Sequence, residues 1–436
     1  MNIHNNITNV FLWIVCLSIG WTSCSEKTDA LHFNEAEQVF EISKLSELHY
    51  LSKLTKDNPL LIDVNLKTKT GKEIPATQAR IKLINDIEIS GKWTPINAPI
   101  KELNGNGHTI IFDDVEFIVE DSEKSFFYYF GLFGELGTKE NAIVKNLTLT
   151  GDISVKSKEK SKYYSLVVGA LAGGFKGGTI ENCRNQTNIH IYNQRGLAKV
   201  WLGGLMGSLD NYHNAGTFLH GKIQNEGNLT IDQCAEANIG GIAGWVFNLN
   251  DITINKNVQV ENKGNISVLW ANGVPESSIN TVGGVFGNFT IPGGDVGHLH
   301  NSGNILLDTQ GTAITLEVGG VCGCIEHQDY SKYMYATDLY NSGTIEIRGS
   351  IINKYSCVGG IAGSFGGCSF HQTINKGQIL LPKINNGKIG GLLGEESIIK
   401  GNCYLYSCCK DQATTHPIWN TVISGNNSRL KCKDNH

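Results

Sequence analysis

The sequence predicts an all-β chain wound into a parallel β-helix, with a short helix closing its N-terminal end. Three observations carry that expectation. A six-residue phrase built on paired glycines returns along the chain, an Asn-x-Gly phrase alternates with it, and no helical period separates the two.

The glycine phrase has seven clear copies: Val168–Gly173, Leu202–Gly207, Ile239–Gly244, Val282–Gly287, Val318–Gly323, Val358–Gly363 and Ile389–Gly394. A degenerate copy is Phe130–Gly134, and starts of the clear copies fall 31 to 43 residues apart. The residue before the first glycine is aliphatic each time, and so is the residue three places later. In a regular strand such positions face opposite ways. Burying both on one side needs a bend between them, and the glycines mark it. A missing Cβ there permits positive φ and close approach of a neighbouring coil.

The second phrase is Asn225-Glu226-Gly227, then Asn262-Lys263-Gly264, Asn301-Ser302-Gly303, Asn341-Ser342-Gly343 and Asn375-Lys376-Gly377. Aliphatics follow four and six residues after each Asn, as in Leu229 with Ile231 and Ile305 with Leu307, the alternation of a half-buried strand leaving a turn. An earlier copy, Asn185-Gln186-Thr187, keeps Ile189 and Ile191 without the glycine. Asn at one corner of successive coils can satisfy backbone groups and stack as a ladder, with aliphatics stacked inside. Each coil then adds about 4.8 Å of length. A unit of this size holds either one long coil or two short ones. A β-propeller needs four strands per blade, leucine-rich repeats need a shorter period, and calcium-binding nonapeptides need a series where this chain has only Gly293-Gly294-Asp295.

The front of the chain differs. Val10–Ile19 is an apolar run of signal-peptide length, and Trp21-Thr22-Ser23-Cys24 after it resembles a bacterial lipobox, which nominates Cys24 for lipidation. Ser43 is placed to cap a helix over Lys44 to Leu54, with Leu45, Leu48, Leu51 and Leu54 on one face. A solenoid needs such a cap over its apolar end and unpaired edge. The expected organisation is a lipoprotein signal peptide (1–23), a flexible tether (24–40), an N-terminal cap with its helix (41–80), an opening β-helix region (81–165), the repeat β-helix (166–400) and a C-terminal cap (401–436).

Five phrases in the opening region carry a family resemblance: Ile81–Ile89, Trp93–Ile96, Leu103–Ile110, Gly131–Gly134 and Val144–Leu149. In that order, with the later glycine and asparagine phrases, the chain resembles GLUG-repeat bacterial surface proteins over residues 40 to 425, and Ser25–Asp29 is similar to the acidic tether of Bacteroides-type lipoproteins. The resemblance implies a right-handed β-helix, secreted or surface-attached, of a kind discussed as adhesins. It supplies no catalytic residues.

A net charge of −5 and no concentrated basic patch exclude nucleic acid as an expected partner, and no internal apolar run is long enough to span a bilayer. The membrane is expected to be reached through the lipid anchor alone. Ten cysteines remain beyond Cys16 and Cys24; Cys322-x-Cys324 near His327 lacks a second pair for zinc, so buried thiols or occasional disulfides are expected, with no metal and no cofactor. Arg80, Lys82, His108, Asp113 and Asp114 reverse the chain order of a pectin-hydrolase-like set. No phosphate loop, nucleophile elbow or HExxH is present. The distance from first glycine to Asn varies from 16 to 22 residues, which sends variable loops out of a constant scaffold. Two of these, around Tyr212 with His213 and around Tyr330 with Tyr333, combine rings with polar groups suited to a sugar or a protein surface. The expected function is an outer-membrane, surface-exposed lipoprotein that binds a large extracellular glycan or protein as an adhesin. A carbohydrate-active enzyme on the same fold and a passive spacer are the alternatives.

Overall fold

The computed structural model describes residues 30–54, 64–119, 127–396, 404–406 and 431–433, leaving out within the long stretch residues 139, 158–163, 194–197, 211–216, 248–257, 272–277, 292–295, 313, 328–333, 350–353, 367 and 383–386. These residues form a parallel β-solenoid. Strands before the glycine pair stack in one eight-stranded sheet, from Phe127–Phe130 to Lys388–Gly390, and strands after it stack in a second, from Phe133–Leu136 to Leu393–Glu396. A third, seven-stranded sheet runs from His32–Asn34 to Thr217–His220, and the strands on either side of the Asn phrase, together with Ile87–Lys92, Thr109–Val119 and Thr148–Ser157, form the remaining wall, here termed the ladder sheet.

Register answers how many coils a unit holds. Gly240 pairs with Gly283, Gly283 with Gly319, and Gly319 with Gly359, each in a parallel ladder. Consecutive copies are therefore neighbours, and each unit is one coil. The aliphatics after the Asn stack as the pattern predicts: Leu229, Ile266, Ile305, Ile345 and Ile379 are in register and buried. They belong to one continuous apolar core that extends from Leu31 to Leu393.

The glycine pair is the bend between the first two sheets, and both flanking aliphatics, such as Val282 and Val285, are fully buried. One part of the expectation is corrected. None of the doublet glycines from Gly203 to Gly360 adopts positive φ. They are required by crowding. A Cβ on Gly284 would lie 2.1 Å from the Gly320 carbonyl oxygen of the next coil and 2.3 Å from Asn301 Cγ. The same meeting recurs at Gly204 with Asn225, Gly241 with Asn262, Gly320 with Asn341 and Gly360 with Asn375. The two repeated phrases are thus opposite sides of one contact within each coil.

The Asn side chains are buried and linked end to end. Asn185 Nδ2 donates to Asn225 Oδ1 (2.7 Å), Asn225 to Asn262, Asn262 to Asn301 and Asn301 to Asn341 (each 2.8 Å), and Asn341 to Asn375 (2.9 Å). Each amide also serves its own turn: Asn301 Nδ2 donates to the Gly303 carbonyl at 2.9 Å, and its Oδ1 accepts from the Gly303 N–H at 3.2 Å. With two donors and two acceptor sites used, the buried amide is fully satisfied. A second ladder lies outside: Asn188 Oδ1 accepts from the Asn228 N–H, Asn228 from Asn265, Asn265 from Asn304 and Asn304 from Thr344.

At the N-terminal end the helix spans Leu45–Lys53, one residue inside the expected range, and its N-cap is Lys44 rather than Ser43. Glu47 explains the shift. Its carboxylate accepts from the Ser43 N–H at 2.7 Å and the Lys44 N–H at 3.3 Å, holding the start that a Ser43 cap would have held. Leu48 and Leu51 are buried, Leu45 and Leu54 pack against the core, and His49 stacks on Trp93 with ring centroids 5.4 Å apart. His32–Asn34 pairs antiparallel with Val39–Ile42 and so covers the edge of the third sheet.

Asn301→Ala is expected to cost about 3 kcal/mol, because it strands buried donors and acceptors on Asn262, Gly303 and Asn341. Asn265→Ala, in the outer ladder, is expected to cost roughly 0.5–1 kcal/mol since water replaces the lost partners. Urea titration followed by tryptophan fluorescence compares the two; equal losses would show that the inner ladder has no special weight.

Candidate functional site

A concave feature lies on the outer face of the ladder sheet, at its N-terminal end. Strand Arg184–Asn193 shows how it is built. Its alternation sends Asn185, Thr187, Ile189, Ile191 and Asn193 inward and presents Asn188, His190 and Tyr192 outward. One coil earlier, Thr148–Ser157 presents Asp152, Ser154 and Lys156 at matching register. One coil later, Leu229–Asp232 presents Thr230 and Asp232. Strand Thr109–Val119 adds Asp114 and Glu116, where a bulge sets Asp113 and Asp114 against the single residue Asp152. Bulges re-aim side chains at such places, and Asp114 takes a left-handed backbone with φ 50° to do so.

The result is a groove of about 720 Å3 crossing these coils. Its walls are mixed in charge, with the carboxylates of Asp114, Glu116 and Asp152 and the amines of Lys92 and Lys156, and His190 lines it as well. His190 Nε2 lies 2.8 Å from Asp232 Oδ2, and its ring packs against Tyr192 with centroids 3.6 Å apart. Tyr192 keeps 37% of its surface exposed. Lys156 is bonded to Glu116, which raises the lysine pKa, and its ammonium sits 6.0 Å from the Tyr192 ring centroid. Asn188 Nδ2 donates to Asp152 Oδ1 at 3.0 Å. The groove therefore offers an aromatic face, fixed by its neighbours, within a ring of oriented donors and acceptors.

The site residues nominated from sequence, Tyr212, His213, Tyr330 and Tyr333, lie outside the described residues, as does Cys24. The strands that lead into the two loops are described. Met206–Asp210 and Cys322–His327 belong to the same sheet, three coils apart. Of the residues weighed as a hydrolase-like set, only Asp114 lines the groove; Arg80 pairs with Glu102 at 3.2 Å, Lys82 with Glu37 at 2.7 Å and His108 with Asp86 at 3.2 Å. Sequence reading did not single out His190, Tyr192, Asp152 or Asp232. The available signal was the outward alternation between Ile189 and Ile191. Cys322 belongs to the apolar core, while Cys324 sits beside Glu317 and Glu326; both are buried free thiols.

Fold and groove together define a parallel β-solenoid protein with a polar-aromatic cleft on one wall. No family model matches the sequence. A protein of Evansella cellulosilytica, provisionally named a Gly-rich membrane protein, is 33% identical over 140 residues, a match covering 29% of this chain and 14% of that relative. The chain thus spans about one seventh of that relative's length. A solved structure from Bacteroides ovatus, provisionally described as an immunoglobulin A1 protease, overlaps 86% of this chain and 84% of its own at 15% identity, with a TM-score of 0.41. Among the described residues, no helix is long and apolar enough to cross a membrane.

One ionisable group stands apart from the groove. Glu317, in register between Thr281 and Cys357, has its pKa pushed up to about 7 by burial and by the charge of Glu326. Unfolded, the group ionises near the ordinary carboxylate value of 4.5. The fold thus favours the protonated form, and its contribution is fully present below that value. It is lost as pH rises through the window from 4.5 to about 7. The loss amounts to at most about 3 kcal/mol. Glu317→Gln is expected to remove that slope, so that its stability gain over wild type grows between pH 4.5 and 8. Urea midpoints measured across that range check this, and a pH-independent difference would refute it.

Proposed function

We propose that this chain is a surface-attached β-solenoid that binds an extended, neutral glycan along the groove of the ladder sheet. The observation that carries the reading is the exposed ring of Tyr192, held by His190 and flanked on the adjacent coils by Asp152, Ser154 and Thr230. An aromatic face beside oriented hydrogen-bonding groups suits a pyranose ring, whose apolar face stacks while its hydroxyls are bonded. The carboxylates of Asp114 and Asp152 accept hydroxyl hydrogens and, with Glu116 paired to Lys156, leave three carboxylates against two lysines, a slight negative excess that favours neutral over uronic sugars. Five neighbouring strands contribute, so a ligand aligned with the axis has roughly 15–20 Å of floor. Tyr212, His213, Tyr330 and Tyr333, which combine rings with polar groups in the sequence, are kept in the reading as further ligand-binding residues; the segments that carry them follow strands Met206–Asp210 and Cys322–His327.

Attachment follows from the sequence: the apolar run Val10–Ile19 and Cys24 support a lipid-anchored outer-membrane protein, and the ordered opening phrases support kinship with GLUG-repeat surface proteins. The division into signal peptide, tether, capped opening region, repeat array and C-terminal cap belongs to the same reading. The membrane-protein name of the Evansella relative agrees with an envelope location.

A glycan array followed by calorimetry tests the binding. Neutral oligosaccharides are expected to bind, uronic ones are not, and Tyr192→Ala is expected to weaken binding at least tenfold, about 1.4 kcal/mol. Tyr192→Phe should retain most of it. Unaltered affinity in Tyr192→Ala would remove the groove from the reading, and shortening of the bound polymer would favour the carbohydrate-active enzyme alternative.

A further inference from the structure

A second cluster lies on the sheet that follows the glycine bend, away from the groove. Phe175 and Leu209 are in register, so Lys176 and Asp210 follow them as neighbours on adjacent coils. Both are buried, at 9% and 1% exposure. Lys176 Nζ lies 2.8 Å from Asp210 Oδ2 and 3.5 Å from Glu135 Oε1, with the Tyr129 ring centroid 5.5 Å away. The lysine stem runs over Gly174, where a Cβ would meet Lys176 Cε and Tyr129 Cε1, each at 3.3 Å. A buried amine and a buried carboxyl are thus held together, with a second, part-exposed carboxylate at their solvent side.

We infer that Lys176 and Asp210 condense to an intramolecular isopeptide bond, with Glu135 as the proton-shuttling residue. The inference is independent of the glycan reading. Burial works against the Lys176 ammonium, but Asp210, Tyr129 and Glu135 outweigh it and raise the pKa. The first step returns one proton from the ammonium to Asp210 across the existing contact, giving a neutral amine and a carboxylic acid. A low-dielectric interior narrows the gap between the ionic and neutral pairs because it penalises separated charge. The amine nitrogen then attacks Asp210 Cγ and a C–N bond forms. Glu135 takes the surplus proton from nitrogen and delivers it to the hydroxyl, the C–O bond breaks, and one water leaves. No oxidant or cofactor enters the balance. Two features favour the forward direction: the reactants are positioned as an intramolecular pair, and the leaving water exits to solvent.

The product would tie the coil of Ala172–Phe175 to the coil of Met206–Asp210, immediately before the loop that carries Tyr212 and His213. Coils otherwise hold one another by hydrogen bonds parallel to the axis, so a covalent tie there resists peeling of the solenoid.

Tryptic mapping of the reduced, alkylated full chain tests this directly. The expected product is a branched peptide in which residues 163–184, uncut at Lys176, are joined to residues 200–222, lighter than the two together by one water. Recovery of linear peptides ending at Lys176, with residues 200–222 at their unmodified mass, would overturn the inference. Glu135→Gln retains both reacting groups and is expected to yield mainly the linear peptides. Lys176→Arg keeps the charge pair without an acylable amine under these conditions, and its thermal midpoint should fall several degrees below that of wild type. Equal midpoints would mean that no covalent tie is lost.

Discussion

Each coil is gauged by the contact between the second glycine of the bend and the buried asparagine across from it. Asn301 Cγ would stand 2.3 Å from a Cβ on Gly284, so the coil is narrow enough there that any side chain other than hydrogen would displace the ladder. The asparagine is held as strictly, for its amide meets its partners only when the coils before and after lie in register. One hydrogen-for-methyl constraint and one saturated amide therefore set both the width of the solenoid and the alignment of its turns. Segments between these two points are free to differ in length, which is why units of 31 to 43 residues stack on a common axis.

The fold was legible because its rules are periodic. Aliphatics around the glycines and beyond the Asn could be buried together only if the chain wound, and Val282, Val285, Ile305 and Leu307 are buried as that required. The reason for the glycines was only half legible. Sequence shows that a Cβ is absent; whether it is absent for the sake of φ or of space depends on an atom of the next coil, here the Gly320 carbonyl oxygen. The helix start was displaced for a similar reason. Ser43 has the right chemistry for a cap, but Glu47 reaches the same backbone groups.

The groove was less legible because its members are separated by whole coils. His190 and Asp232 are 42 residues apart, and Asp152 and Asn188 are 36 apart. Their meeting follows only once each unit is known to be a single coil, a choice that spacing left open. Lys176 and Asp210, 34 residues apart, share that property. In a solenoid the chemically interesting neighbours sit one coil away, at an offset that varies with every insert. A motif search at fixed spacing passes over them.

The outer wall of the ladder sheet also separates what is constant from what can discriminate. The column of Asn188, Asn228, Asn265 and Asn304 spends its side-chain oxygens on the backbone N–H of the following coil, so it is committed to the scaffold. The adjacent column, one outward position further along, runs Glu116, Ser154, His190, Thr230, Ser267, Leu306 and Glu346 in continuous register. Its side chain differs from each coil to the next, from carboxylate through hydroxyl and imidazole to an aliphatic, while its backbone stays equally spaced. A ligand lying along the axis would meet the same geometry at each step and a different side chain. Affinity for an extended polymer can then come from the repeat, whereas selectivity must come from the few coils where this column carries groups able to choose, of which the His190 coil, with Tyr192 beside it, is the most developed.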